Sequence, residues 1–508
     1  MKQSRTLIYN TILLTATSVL MRIIGLLFQV FLSGKIGSAG IGLFQLIMSV
    51  GIFAQTVAIS GIRFTTTRLV SEELGKGNIG GVRKTVRSCL MYAAFTGFAA
   101  SFILFQMSNY LGTGIIGDER TVLSLKLLSM SLPWMAMGTV FAGYFTAVCR
   151  VIKSAVVQLF EQLVRIVTVI LALQIARHGD LEQMCAAVIA GGIAGETFSF
   201  LLILVIYLFD KRRYRGYKVQ GDKIPSRMFS IAVPLALSAY ARTALTAAEN
   251  ILIPRGFRKS GVSSEEALSS YGIIQGMVFP IITFPSAFFA SLSELIVPEL
   301  TEAQVRGKTE YISVTSTRLL RLCLIFSICV MAVLTEFSDE LGTVIYKDPE
   351  VGAMIKIFAF LMPIMYLDTV TDGMLRGLGQ HMYSMYFNIL DSLLCLVLVA
   401  NVLPKYAVPG YIAILYISEI FNFTLSIGRL MQITKIRFKL GVITKSLLSA
   451  FGGVSAARVC VHWVKIPFAS VIGLIVSVVI SAVVYIILLF LFSSADHSSC
   501  LKIQKTDF

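Results

Sequence analysis

Residues 11–29 read TILLTATSVLMRIIGLLFQ. The stretch is as long and as apolar as a bilayer crossing requires, about 20 residues in a helix, yet it carries Arg22 near its centre. Thr11, Thr15, Ser18, Arg22, Gly25 and Gln29 follow at intervals of four, three, four, three and four. On a helix these positions share one face. A helix that is apolar except for one polar stripe is a membrane span whose stripe faces protein or water instead of lipid. The segment is not a cleaved signal peptide: read over 6–34 it is too long, holds Arg22 and lacks a small-residue cleavage site.

The rest of the chain keeps this character. Of 508 residues, 56% are apolar and 14% are charged, against roughly 25% charged in soluble domains. So few charges cannot cover a water-facing surface of this size. Disorder, a collagen-like repeat and a disulfide-rich secreted scaffold are excluded by the same composition. Fourteen apolar stretches are expected to span the membrane, at 6–34, 39–68, 85–108, 122–148, 155–177, 184–209, 228–253, 268–297, 314–336, 351–376, 383–402, 409–433, 444–463 and 467–492. All read as helices, since a membrane barrel would show short alternating segments.

The net charge of +16 is spread over short loops and is not gathered into the basic patch of a nucleic-acid binder. With the N-terminus inside, Lys76, Arg83, Lys84, Arg87, the run Lys211–Arg227, Lys435, Arg437 and Lys439 fall on the inner face. Fewer cations fall outside, chiefly Lys35, Arg120, Lys347, Lys405 and Lys465. The asymmetry predicts a multi-pass cell-membrane protein with both termini cytoplasmic. Arg255, Arg258 and Lys259 run against it, partly balanced by Glu265 and Glu266. The loop Lys211–Arg227 reads as a basic linker held to anionic lipid, and the polar tail from Ser493 onward as irregular.

An offset of 230 residues pairs Gly42 with Gly272, Glu72 with Glu302, Gly77 with Gly307, Pro133 with Pro363, Gly143 with Gly373, Ser154 with Ser384 and Glu161 with Asp391. An offset of 220 brings Ser18 and Arg22 onto Ser238 and Arg242, and 223 brings Glu196 onto Glu419. The offset changes fall in loops, where insertions are tolerated. The expected fold class is therefore an all-α polytopic membrane protein of about fourteen transmembrane helices, two parallel-repeat six-helix halves plus two extra C-terminal helices. The expected domains are an N-terminal lobe at 1–209, a basic cytoplasmic linker at 210–227, a C-terminal lobe at 228–434, and two further spans with a tail at 435–508. Parallel repeats belong to transporters that rock one half against the other around a central site.

Charges within spans mark the candidate site. Arg22, Arg242, Gln29 and Ser18 are the expected substrate-binding residues of a cationic central cavity, with Arg242 repeating the stripe as Ser238, Arg242, Thr246 and Glu249. Glu196, Glu419, Glu249 and Asp368 are carboxylates with either an ion-coupling or a structural role, and Glu249 could simply pair with Arg242. Glu161 with Arg165, and Asp372 with Arg376, sit four apart and read as helix-face ion pairs. Arg63 and Arg68 lie near an inner span end, where their heads can snorkel. Gly191-xxx-Gly195 and Gly373-xxx-Gly377 are close-packing motifs. The eight cysteines form no CxxC pair, and the four histidines are isolated. No metal, no cofactor and no catalytic residues are expected.

Three stretches carry a family resemblance: Leu20 to Gly25, Gly61 through Asn78, and Gln275 through Pro280 and Pro285 to Glu299. They resemble the multidrug/oligosaccharidyl-lipid/polysaccharide (MOP) flippase superfamily, in its stage V sporulation protein B-like branch. The resemblance implies alternating access, and intramembrane arginines that engage a lipid pyrophosphate. The partners so implied are a lipid-linked saccharide substrate and the bilayer, with envelope-synthesis enzymes beside them and no nucleic acid. A cation-coupled multidrug exporter and a non-transporting membrane scaffold are the rival readings. The external loops are too short for a membrane glycosyltransferase.

Overall fold

A computed structural model describes residues 2–503 apart from 177–178, 212–223, 435, 437–440 and 464–469. Inside its helices the side chains of 2–16, 18, 79, 294–295 and 493–503 are likewise outside the description. The described chain is helical throughout, with no strand. In hydrocarbon the backbone must satisfy its own hydrogen bonds, which a helix does within one segment. Eight helices are long and apolar enough to cross a membrane, and eleven when each of three bent pairs counts as one span. The expected total of fourteen counts two kinked helices as two spans each and adds Gly441–Trp463 as a further one.

The chain divides into two compact units. The first comprises residues 1–28 and 35–272. It contains most of α1 (Lys2–Ile59), α2 (Ile62–Gly75), α3 (Ile79–Asn109), α4 (Val122–Ser129), α5 (Leu132–Ala147), α6 (Val151–Ile175), α7 (Leu181–Asp210), α8 (Ile224–Lys259) and α9 (Ser264–Tyr271). Helix α1 joins two spans across Gly37, whose φ of 71° is reached without steric cost only by glycine. The division falls at Gly272, inside the second copy of the repeat, because α8 and α9 are fastened to the N-terminal helices. Arg227 pairs with Glu72 and, at 3.0 Å, with Glu73. Tyr240 bonds Ser60, and Ser38 bonds Ser269. A Cβ on Gly42 would lie 2.0 Å from the Leu268 carbonyl oxygen, so the two backbones touch there.

The second unit comprises residues 29–34 and 273–508. It holds α10 (Phe279–Thr283), α11 (Ala287–Val305), α12 (Thr309–Glu336), α13 (Ser338–Leu341), α14 (Pro349–Ala359), α15 (Met362–Gly377), α16 (His381–Ile433), α17 (Gly441–Trp463) and α18 (Val471–Ile503). Helix α16 joins two spans across Ala407 (φ 45°). The last two helices pack on each other, and α17 packs on α12, where Arg458 pairs with Glu336. Helix α18 continues to Ile503, so most of the segment read as an irregular tail is helical.

Backbone irregularities recur between the copies at the spacing read from the sequence. Wide helical turns at Tyr110–Ile116 and Gly342–Tyr346 end at Gly117 (φ 76°) and Lys347 (φ 57°). Each is followed by an aspartate, Asp118 or Asp348, that caps the next helix. Gly77 and Gly307 take φ of 70° and 68°, and Cys149 and Gly379 take 55° and 67°. The bent pairs α4–α5 and α14–α15 turn by 45° and 57°. Positive φ is uncommon outside glycine, so these coincidences mark one backbone plan used twice.

Two of the three cations that run against the expected charge asymmetry, Arg255 and Arg258, have local acceptors. Arg258 donates to the Gly117 and Ile116 carbonyls, each at 3.0 Å, and Arg255 donates to Gly114. These oxygens belong to a helix end, where carbonyls lack intrahelical partners and cations are favoured.

Candidate functional site

Arg22 lies on α1 with its side chain exposed, and has no hydrogen bond or ion pair among the described residues. Arg242 repeats this on α8: Ser238, Arg242 and Thr246 are all exposed, while Ala232, Ala236, Ala247 and Ile251 are buried. The polar stripe is thus the uncovered side of α8. Glu249 is half-buried, and no ion pair joins it to Arg242. Gln29 donates its side-chain amide to the Gly276 carbonyl at 2.9 Å, so in this arrangement it serves the helix packing. The side chains of Thr11, Thr15 and Ser18 lie outside the described residues.

The carboxylates form two groups, one in each unit. In the first, Arg165 on α6 bonds Glu161 at 2.8 Å and Glu196 on α7 at 3.4 Å. The pair of glycines on α7 explains this reach. A Cβ on Gly191 would come within 2.8 Å of the Val169 backbone nitrogen, and one on Gly195 within 3.1 Å of the Glu161 carbonyl. Small residues let α7 press on α6, which brings Glu196 to the guanidinium. A further carboxylate, Asp210, is buried at the end of α7 and is held by Tyr144 at 2.7 Å, Lys153 at 2.9 Å and Arg150. Arg150 and Lys153 thus serve this buried carboxylate.

In the second unit Asp368 accepts from Asn422 at 3.0 Å, Asp372 from Ser384 at 2.9 Å and Asp391 from Ser418 at 2.7 Å. Asp372, Asp391 and Glu419 all lie near enough to Asp368 to act on its charge. None of the four has a basic partner among the described residues. The expected Asp372–Arg376 pair does not form: Arg376 is exposed, and the Asp372 carboxylate accepts from Ser384 on α16 instead. Asp368 Oδ1, Asn422 Oδ1 and the Ser426 hydroxyl are buried with no hydrogen-bond partner among the described residues.

Reading residue by residue singled out Asp368 and Glu419 and passed over Asn422, Ser418 and Ser426. The repeat held the missing signal. Its offsets pair Gly138 with Asp368, Ala142 with Asp372, Glu161 with Asp391, Arg165 with Cys395, Glu196 with Glu419, Ser199 with Asn422 and Ile203 with Ser426. The two carboxylate groups thus occupy one place in the repeated plan.

The profile of the polysaccharide biosynthesis protein family matches residues 7–304, and the MatE profile matches 259–401. The chain is 24% identical to stage V sporulation protein B of Bacillus subtilis (strain 168), over 96% of both chains. It is 22% identical to the lipid II flippase MurJ of the same organism, over 78% of this chain and 77% of that protein. Among solved structures, lipid II flippase MurJ in an inward closed conformation superposes with a TM-score of 0.70 at 14% identity, covering 95% of this chain and 99% of the other. An inward-facing multidrug resistance MATE family transporter of the MOP superfamily gives 0.61 at 14% identity, covering 81% and 95%. The architecture is therefore that of a multi-pass membrane transporter fold.

Proposed function

The chain belongs to the polysaccharide biosynthesis protein family, within the MOP superfamily, and we propose that it flips an anionic lipid-linked oligosaccharide or polysaccharide precursor across the cytoplasmic membrane for cell-envelope synthesis. The observation that carries this reading is Arg22, an exposed guanidinium on an apolar helix with no protein counter-charge among the described residues. A charge at mid-bilayer depth costs at least about 2.5–3.5 kcal/mol, which a water-filled cavity and an anionic ligand offset. Arg242 stands the same way on the helix that the repeat pairs with α1. A guanidinium presents a planar fork to phosphate oxygens, so the pair suits a pyrophosphate carried on a lipid. The headgroup then crosses through the protein, and its polar groups never enter hydrocarbon unpaired.

Ser18 and Gln29 complete the arginine stripe in this reading. Asp368 and Glu419, with Asp372 and Asp391, form its coupling group: carboxyl groups without a basic partner are neutralised by protons or by a bound cation. Glu196, paired with Arg165, has no part in this coupling group. The two six-helix halves, 1–209 and 228–434, act as the mobile elements, joined by the linker at 210–227 and followed by the extra spans at 435–508. A multidrug exporter is the reading raised by the MatE match, but that profile covers only 259–401, and unpaired arginines suit an anion. The relatives named above carry transport or sporulation names and none is named as an enzyme, which agrees with a transporter that makes and breaks no covalent bond.

Proteoliposomes carrying a fluorescent polyprenyl-pyrophosphate saccharide test the proposal. Arg22→Ala should lower flipping at least tenfold while leaving membrane insertion and monodispersity intact. Arg22→Lys should keep part of the activity, because charge survives while the bidentate fork is lost. Normal flipping by Arg22→Ala, or ion-driven efflux of cationic dyes with no lipid-saccharide movement, would replace the reading. In this reading both termini lie in the cytoplasm, as the loop charges favour. In a background without the native cysteines, Asp118→Cys should react with an impermeant thiol reagent from outside, and Lys308→Cys from inside only.

A further inference from the structure

The first unit contains a cavity of about 200 Å³ that the arginine stripe does not use. It lies among α2, α5, α6 and α7, and its lining includes Arg63, Trp134, Gln158, Glu161, Glu196 and Ser199. Four observations bear on what it could hold.

The space is not a packing defect forced by the backbone. Gly138 lines it from α5, takes no positive φ, and a Cβ there would meet no atom within 4 Å. A larger residue would fit, and the second copy has one, Asp368. Glycine in mid-helix costs stability relative to alanine, so its presence here leaves room without any local backbone need.

The polar groups are positioned yet incompletely used. Arg165 engages one oxygen each of Glu161 and Glu196, which leaves acceptor capacity on both carboxylates. The Gln158 amide and the Ser199 hydroxyl have no hydrogen-bond partner among the described residues. Trp134, one of only two tryptophans in the chain, is braced against Phe200 with ring centroids 5.4 Å apart. Finally, the charges balance: Arg63 and Arg165 stand against Glu161 and Glu196, so the cavity has no net demand for a cation.

We propose that this cavity is a saccharide subsite that takes one sugar ring of an anionic glycosyl ligand. The C–H face of the ring lies on Trp134, an amphipathic platform suited to such contact. Its hydroxyls donate to Glu161 and Glu196 in charge-assisted bonds and exchange bonds with Gln158 and Ser199. Arg63, read from the sequence as a snorkelling cation, faces the phosphate of the ligand. The volume suits a single ring, since pockets for drug-sized ligands run from about 300 to 1,000 Å³. The inference rests on the flippase reading only for the lipid that carries the sugar.

Trp463 is 82% exposed, so Trp463→Phe leaves Trp134 as the only indole and makes it a direct reporter. The purified full-length variant is titrated with glucose, N-acetylglucosamine, N-acetylglucosamine 1-phosphate and tetraphenylphosphonium. A saturable change in Trp134 emission with at least one of the sugars is expected, strongest for the phosphorylated one. Gly138→Leu, which fills the space, and Gln158→Ala, which removes an exposed amide, should each raise the half-saturation concentration at least tenfold. Arg63→Ala should erase the preference for the phosphate. Thermal melting of each variant separates lost binding from lost folding. The proposal is overturned if no sugar in the panel changes the emission, if tetraphenylphosphonium acts at lower concentration than every sugar, or if folded Gly138→Leu binds as the parent does. Sugar binding without lipid-saccharide flipping would retire the flippase reading and keep the subsite. Flipping without sugar binding would do the reverse.

Discussion

The place where α5, α6 and α7 meet in the first unit corresponds, position by position, to the place where α15 meets the two arms of α16 in the second. The first holds Gly138, Ala142, Arg165, Glu196 and Gly195, and the second holds Asp368, Asp372, Cys395, Glu419 and Ser418. In the first, the glycine at 195 lets two helices close until one arginine serves two carboxylates. In the second, the serine at 418 spends its hydroxyl on Asp391, the arginine is replaced by a buried cysteine, and two more aspartates stand in the space that glycine and alanine leave open. One copy is roomy and, with Arg63 across the cavity, balanced in charge. The other is acidic and needs neutralising from outside. A duplicated unit has thus diverged into one half suited to a polar ligand and one suited to a mobile cation.

The sharpest way to break this comparison is to give the second copy the first copy's cation. In Cys395→Arg the new guanidinium sits one turn from Asp391 and replaces the exchangeable cation with a fixed one. Flipping that depends on an ion gradient should fall at least tenfold, with the protein still monodisperse in detergent. Unchanged gradient dependence in proteoliposomes would mean that the acidic group has no part in coupling.

The reverse exchange tests the first copy. Arg165→Met leaves Glu161 and Glu196 half-buried without their cation. Removing one partner of a buried pair costs about 3–5 kcal/mol, and the partial exposure here places the expected loss at the lower end. Thermal or denaturant unfolding should show it, and adding Glu161→Gln and Glu196→Gln together should restore most of it. A single variant as stable as the parent would make the triad incidental. The smallest effect is expected at Gly138→Ala. Relieving a mid-helix glycine should stabilise by roughly 0.5–1 kcal/mol, because the added methyl meets nothing. A loss of stability there would show that the cavity wall is closer packed than its contacts indicate.

Much of this molecule can be read before it is folded. Apolar runs of bilayer length dictate helices, because a chain in lipid has no other way to satisfy its backbone. The repeat was legible from rare residues at constant offset, and the recurring turns at Gly117 and Lys347 follow it. Arg22 and Arg242 stood out because a charge in an apolar run demands a reason. Local pairs fared unevenly. Glu161 and Arg165 do meet, whereas Asp372 turns to Ser384 and leaves Arg376 exposed. Spacing of four says only that two side chains can meet, and a neighbouring helix offering a hydroxyl changes the outcome.

The sequence by itself determined where most of the helices run, that their plan is repeated, and which charges fall within apolar runs, since hydrophobicity and period are properties of the chain alone. Only the tertiary structure decided what those charges face. Glu196 reaches Arg165 because two glycines let α7 close on α6. Arg255 and Arg258 serve carbonyl groups at the end of a helix more than a hundred residues earlier. Helices α8 and α9, second-copy by sequence, are fastened to the N-terminal helices by Arg227, Tyr240 and the Gly42–Leu268 contact. Each of these depends on which helix lies alongside and on its rotation. Rotation and neighbour are set by close packing of side chains over the whole bundle, which no single stretch of sequence encodes.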